Sequence, residues 1–309
     1  MIDYKKVIRS EPLRYAILNA LCFVPDKIMV RWQYWVKTGR KLKLNPPKRY
    51  TEKLQWCKIY YRNDNMRICS DKWTAREYVK SRGMAHILND CYAVYDTVDE
   101  FDWDTLPNRF VIKDTLGAGG RSMIFVDDKS TVDRESCERQ MQKWLDRSSL
   151  NKSFGREWVY EGTKHRIMVE KILIGDKDGD LPDYKFFCFD GKVFCSYMMR
   201  NYTQHHELGK LGFLDRDFKL MDVYRSDFQP MKCQPDKPKN YDEMLRMAEV
   251  LAEGFPHVRV DFYNIDGTII FGEMTFFGSS GYLVFHPDEF DYTLGNQFHL
   301  PPKTEVNIK

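Results

Sequence analysis

No stretch of this sequence stays apolar for the roughly 20 residues that a membrane-spanning helix needs. The longest run, YAILNALCFVP at 15–25, is broken by Asn19. The start, MIDYKK, lacks the apolar core and the small-residue cleavage site of a secretory leader. The eight cysteines form no CxxC pair, so no zinc ribbon or redox motif is spelled out, and a reducing cytoplasm is expected. Repeats and low-complexity tracts are missing. A net charge of only +3 gives no overall field for nucleic acid, and no nucleic-acid partner is expected.

What is present describes a folded protein. Hydrophobic residues make up 43% of the 309, and Phe and Tyr dominate the aromatics, enough for one large domain or two to three modest ones. Charge is uneven along the chain. Residues 1–49 hold twelve Lys or Arg against three Asp or Glu. That basic start includes RWQYWVKTGRKLKL at 31–44, a composition that suits either an ordinary helix with a solvated basic face or peripheral contact with an anionic polymer or the inner face of an anionic membrane.

Apolar spacing predicts helix over 10–40 with a break at Pro25, then extended chain at Asn45-Pro46-Pro47. A second helix is expected from Thr51 to Tyr60, and a third from Asp71 to Ser81, stopped by Gly83. A strand near 87–96 precedes a strand, glycine loop and strand at 110–126, and a helix follows from Asp133 to Arg147. From Arg166 five short β runs dominate, split by a helix at 241–253, which indicates an α+β fold. The expected divisions are 1–65, a basic helical region; 66–98, helix and strand; 99–166, a glycine-loop unit; and 167–309, a larger unit.

Four elements carry chemistry. Gly117, Gly119 and Gly120 would let backbone approach a phosphate, with Lys113 on the strand before them. Glu170-Lys171 ends a β run. Lys185 sits among aromatics, where an unpaired ammonium is costly and an anionic partner is expected. Asp261 and Glu273 lie inside apolar strands of one hairpin, and two such carboxylates call for a shared cation such as Mg²⁺. Register decides whether they meet. A two-residue Asp266-Gly267 turn with a regular ladder would send Glu273 to the far face. A three-residue loop with Gly267 left-handed as a bulge would put Arg259, Asp261, Glu273 and Thr275 on one face, and that loop is predicted. His205-His206 reads as loop, and Asp215-Arg216-Asp217 fits the Asp-x-Asp string of glycosyltransferases.

In this order, with Ser70-Asp71-Lys72 ahead of them, the elements resemble the ATP-grasp superfamily. NPPKRYTEKLQW (45–56), FGREWVY (154–160), LPDYKFFCFDGK (181–192) and FPHVRVDFYNIDG (255–267) are similar to the TupA-like ATP-grasp family, associated with bacterial capsule and surface-polymer synthesis. Two departures stand out. Thr275 replaces the Asn usual two residues after the metal Glu, and Lys113-Asp114-Thr115-Leu116-Gly117 lacks the family loop's His.

The resemblance implies an ATP-grasp fold, a glycine-loop lid over an ATP and Mg²⁺ core, and an amide-forming ligase working through an acyl phosphate. The acid would be a glycan or sugar acid and the nucleophile an amine. A glycosyltransferase and an ATP-grasp kinase stay open as alternatives. Lys72 and Lys113 would grip phosphates under Gly117, Gly119 and Gly120, and Glu170, Lys171 and Ile172 would border the adenine or ribose, with Lys185 also at the nucleotide. Asp261, Glu273 and Thr275 would hold the metal. Arg259 and Lys185 are the candidate catalytic groups, and Arg156, Arg166 and Arg200 the candidate readers of the acid, since guanidinium forks match carboxylates.

Overall fold

A computed structural model of the chain describes residues 10–117, 122–149, 153–201 and 209–304. Gly119, Gly120 and His205-His206 lie outside the described residues. The N-terminal stretch forms two helices, α1 (Glu11–Ala20) and α2 (Asp26–Thr38), parted at Pro25 as the sequence predicts. Gly39, left-handed at φ 74°, ends α2. Helix α3 (Tyr50–Tyr60) starts where the Glu52 carboxylate accepts from the backbone N–H groups of Lys48 and Arg49, satisfying donors that a helix start leaves open.

The third expected helix is present from Thr74, and a short helix that was not expected precedes it. Helix α4 (Asp64–Ser70) precedes α5 (Thr74–Ser81), because the Asp71 carboxylate turns back to accept from Trp73 and Thr74 N–H, and caps a new helix instead of continuing one.

Four antiparallel strands, β1 (Cys91–Tyr95), β2 (Phe110–Asp114), β3 (Met123–Val126) and β4 (Ile167–Glu170), form a sheet in the order β1-β4-β2-β3. Helix α6 (Arg134–Leu145) lays Cys137, Met141 and Trp144 on it, giving a core that includes Phe101, Trp103 and Phe110. This sheet takes β1 from before residue 98 and β4 from after residue 166.

The larger sheet contains β5 (Asp183–Phe189), β6 (Lys192–Arg200), β7 (Lys210–Asp215), β9 (Gln229–Pro230), β10 (His257–Ile265) and β11 (Thr268–Thr275). Its order is β11-β10-β5-β6-β7-β9, antiparallel except for β7 with β9. Strands β8 (Tyr224–Arg225) and β12 (Phe285–His286) pair separately. Helix α7 (Tyr241–Ala252) covers the sheet, and α8 (Glu289–Gln297) follows.

The N-terminal helices share this second core: Val30, Tyr34, Tyr50 and Leu54 are buried with Phe186, Phe213 and Phe262. Two polar contacts fix them. Tyr50 donates to His257 Nε2 at 2.8 Å, and the buried Asp291 of α8 accepts from the Thr51 N–H and hydroxyl at 3.0 and 2.8 Å.

The β10–β11 hairpin corrects the predicted loop. Its turn is the two-residue one, with Ile265 opposite Thr268, and Asp266 and Gly267 at φ 48° and 92°. The ladder is regular to Phe262 opposite Phe271, then slips, so that Asp261 opposes Glu273 and Arg259 opposes Thr275. Gly272 is the extra residue. The slip returns Glu273 to the face of Asp261, so the four side chains share a face through a bulge in the strand and not through the loop.

Candidate functional site

Two groups of charged side chains converge on the glycine loop and the hairpin. On the four-stranded sheet, the Lys113 ammonium lies 2.6 Å from Glu170 Oε2, and Arg76 donates to Glu170 Oε1 at 3.3 Å. Lys72 ties α5 to the end of β2: its backbone N–H donates to the Thr115 carbonyl at 2.9 Å and its ammonium to the Gly117 carbonyl. Gly117 has no room for a side chain, since a Cβ would stand 2.2 Å from the Ser122 Cβ.

On the six-stranded sheet, Lys185 of β5 lies opposite Asp261 and bridges Asp261 and Asp183 at 2.6 and 2.7 Å. Arg259 forks onto Asp261, Nε to Oδ1 at 2.7 Å and Nη2 to Oδ2 at 2.6 Å. It also donates to Glu273 and Thr275, each at 3.0 Å, and to the Tyr197 hydroxyl at 3.2 Å. A second guanidinium, Arg225, donates to Tyr197 at 3.4 Å and to Ser279 at 3.2 Å.

Two cations, Lys185 and Arg259, thus meet three carboxylates, Asp183, Asp261 and Glu273. One negative charge is left over, and it falls at Glu273, whose side chain is 42% exposed while Asp261 is buried. Burial pushes the Asp261 carboxyl up to about 6, against the pull of Arg259 and Lys185. Glu273 goes the other way. Its partial burial would raise it, but Lys185, Arg259 and Lys72 hold it down at about 2. The influence of Lys72 brings the glycine-loop group and the hairpin group within electrostatic reach of each other.

Among the described residues, no cluster of three or more His, Cys, Asp or Glu side chains is arranged to hold a metal by itself. Mg²⁺ needs less than that, since one or two carboxylates and phosphate oxygens complete its shell. Asp261, Glu273 and the Thr275 hydroxyl fit in donor type and in leftover charge. The Thr275 hydroxyl donates to Glu273 at 3.1 Å.

Other expected residues sit elsewhere. Arg156 is buried with its guanidinium on the Leu21 and Cys22 carbonyls and Asp26, where it closes the α1–α2 link. Arg200 clamps Asp180 and Asp176, and strand alternation puts it with Met198, away from the face of Lys185. Arg166 pairs with Asp96, although its carbonyl accepts from Thr115 beside the glycine loop. At Lys171 the N–H donates to the Asp90 carbonyl and the carbonyl accepts from Asn89, with half-buried Ile172 next to it. The Asp215 carboxylate serves its own turn, accepting from Asp217 and Lys219 N–H.

Four residues joined here escaped sequence reasoning: Arg76, Asp183, Tyr197 and Arg225. Arg76 follows Lys72 by four residues and Asp183 precedes Lys185 by two, helix and strand spacings that could have flagged them.

The family model of the TupA-like ATPgrasp proteins matches residues 52–299, a span that contains every residue of both groups. The chain belongs to the TupA-like ATP-grasp family. Solved ligase structures are similar at low identity. D-alanine–D-alanine ligase from Helicobacter pylori is 16% identical over 75% of this chain and 61% of its own, with a TM-score of 0.44. The Bacillus anthracis D-alanine–D-alanine ligase is 17% identical over 67% and 57%, with 0.41. Phosphoribosylamine–glycine ligase from Thermotoga maritima is 14% identical over 77% and 57%, with 0.40. The chain therefore spans less than two thirds of the length of each. A search of curated proteins finds no match.

Proposed function

We propose that this ATP-grasp protein is an ATP-dependent ligase that joins a carboxylate to an amine through an acyl phosphate, acting on a capsule or surface-polysaccharide precursor. One observation carries the reading: Arg259, Asp261, Glu273 and Thr275 share one strand face, with Lys185 beside Asp261 on the neighbouring strand. ATP, when bound, supplies the phosphoryl group that turns a carboxylate oxygen into a leaving group, and Mg²⁺ held by Asp261 and Glu273 would neutralise phosphate charge.

The chain's own residues do the positioning. Lys72 and Lys113 would face phosphate oxygens, Lys113 giving up Glu170 to do so. Arg259 is placed to donate toward negative charge that grows on the acid, because Asp261 holds its fork rigid and Tyr197 fixes its other edge. Lys185, kept protonated by Asp183 and Asp261 despite its burial, steadies Asp261.

The test is to incubate the protein with ATP, Mg²⁺ and candidate sugar acids, and to trap with hydroxylamine. A hydroxamate formed together with ADP is expected. Release of UDP from a nucleotide sugar would replace the ligase with a glycosyltransferase, and a stable phosphate ester of an alcohol would replace it with a kinase.

A further inference from the structure

We propose that the outward face of α2, with Phe23 at its entry, seats this protein on an anionic lipid bilayer. Ile28, Trp32 and Trp35 are 60%, 48% and 52% exposed, and Phe23 is 80% exposed. At roughly 100° per residue the three helix positions fall within about 60° of one another. Met29, Val30, Gln33 and Tyr34 occupy the opposite side and are buried. The helix therefore has two apolar faces, and the fold uses one. The outer stripe has cations beside it: Lys27 and Arg31 on the helix, and Lys41 and Lys43 just beyond it, are all exposed.

Charge selects the occupant. Residues 1–49 carry nine more basic than acidic side chains, so a second copy docked stripe to stripe would bring like charge against like. A polyanion such as nucleic acid would answer the charge and leave two indoles, an isoleucine and a phenylalanine in water. A bilayer with acidic headgroups offers an anionic plane over an apolar layer, the setting in which Trp side chains rest best. Among the described residues no helix is long and apolar enough to cross a membrane, so the contact is a surface one. Inward-facing Tyr34 donates to the Thr51 hydroxyl at 2.8 Å, so the stripe is presented by a helix anchored to the main core.

The experiment is co-sedimentation of the full chain with vesicles of equimolar phosphatidylcholine and phosphatidylglycerol, alongside vesicles of phosphatidylcholine alone. Binding to the anionic vesicles only, weakening with added salt, is expected. Trp32→Ser with Trp35→Ser, and separately Lys27→Glu with Arg31→Glu, should each lower partitioning by about tenfold. Far-UV circular dichroism and melting temperature should match wild type, because all four side chains are exposed. Failure of the wild type to bind, or wild-type binding by the double Trp variant, overturns the proposal. So does a wild-type dimer in solution that the Trp substitutions dissolve, which would assign the stripe to a second copy.

Discussion

Lys113 and Lys58 are both lysines with close partners, yet burial sets them different tasks. Lys113 reaches from β2 to Glu170 and stays partly open to solvent, so a phosphate can compete for it. Lys113→Ala should leave the melting temperature near that of wild type and lower turnover by about 10²–10³, the scale for removing one charge-stabilising donor; near-normal ATP consumption would remove it from the phosphate site. Lys58 is buried, donating to the Gly155 and Ser280 carbonyls at 2.7 Å each, with the Tyr282 ring 4.6 Å away. Burial pushes its pKa down to about 7, partly opposed by Glu157. Between about pH 7 and the ordinary lysine value of 10.5, the unfolded chain binds a proton here that the native protein does not, so stability rises with pH across that window. Below it the cost of burying the charge is fully present. Melting curves of Lys58→Met should lack that rise, and an unchanged slope would mean that Lys58 stays charged when buried.

The hairpin shows how a strand irregularity can outweigh a turn. Gly267 sits at φ 92° with open space where a Cβ would go, so Gly267→Ala has only the left-handed backbone to oppose it and should cost about 1 kcal/mol, measurable by urea unfolding. The Asp-Gly signal was legible and so was the pairing of β10 with β11. The bulge was not. A glycine inside a strand is its usual mark, but Gly272 also fits an ordinary strand, and only the pairing itself shows the slip between Asp261 and Phe262. Lys185, Asp261 and Glu273 stood out because charge inside apolar runs is costly without a partner, Lys113 because it precedes the glycine loop, and Lys72 only through the family resemblance. Tyr197 and Arg225 left no trace, since they meet Arg259 and Ser279 across strands and loops far apart in sequence. Arg156 shows a related limit: a buried arginine that binds carbonyl groups looks, in sequence, like one that binds substrate.

At the scale of the whole molecule, the basic start reads as an appendage and folds as part of the main core. Val30 and Tyr34 are fully buried there, so a chain lacking residues 1–40 should lose cooperative unfolding, seen as a broad thermal transition or insoluble expression. A sharp native-like transition in that truncation would show that α2 is dispensable. The four-stranded sheet, by contrast, keeps Phe101, Trp103, Phe110 and Trp144 to itself, and among the described residues its core shares no side chain with the larger one. Each core can then open without breaking the other. Amide hydrogen exchange should find β1 to β4 and α6 releasing their protons together at a lower opening free energy than β5, β6 and β10. If the proposed function holds, with Lys72 and Lys113 facing ATP from one side and the hairpin from the other, added ATP should slow the first group toward the second, making the nucleotide the joint that turns two independently breathing bodies into one.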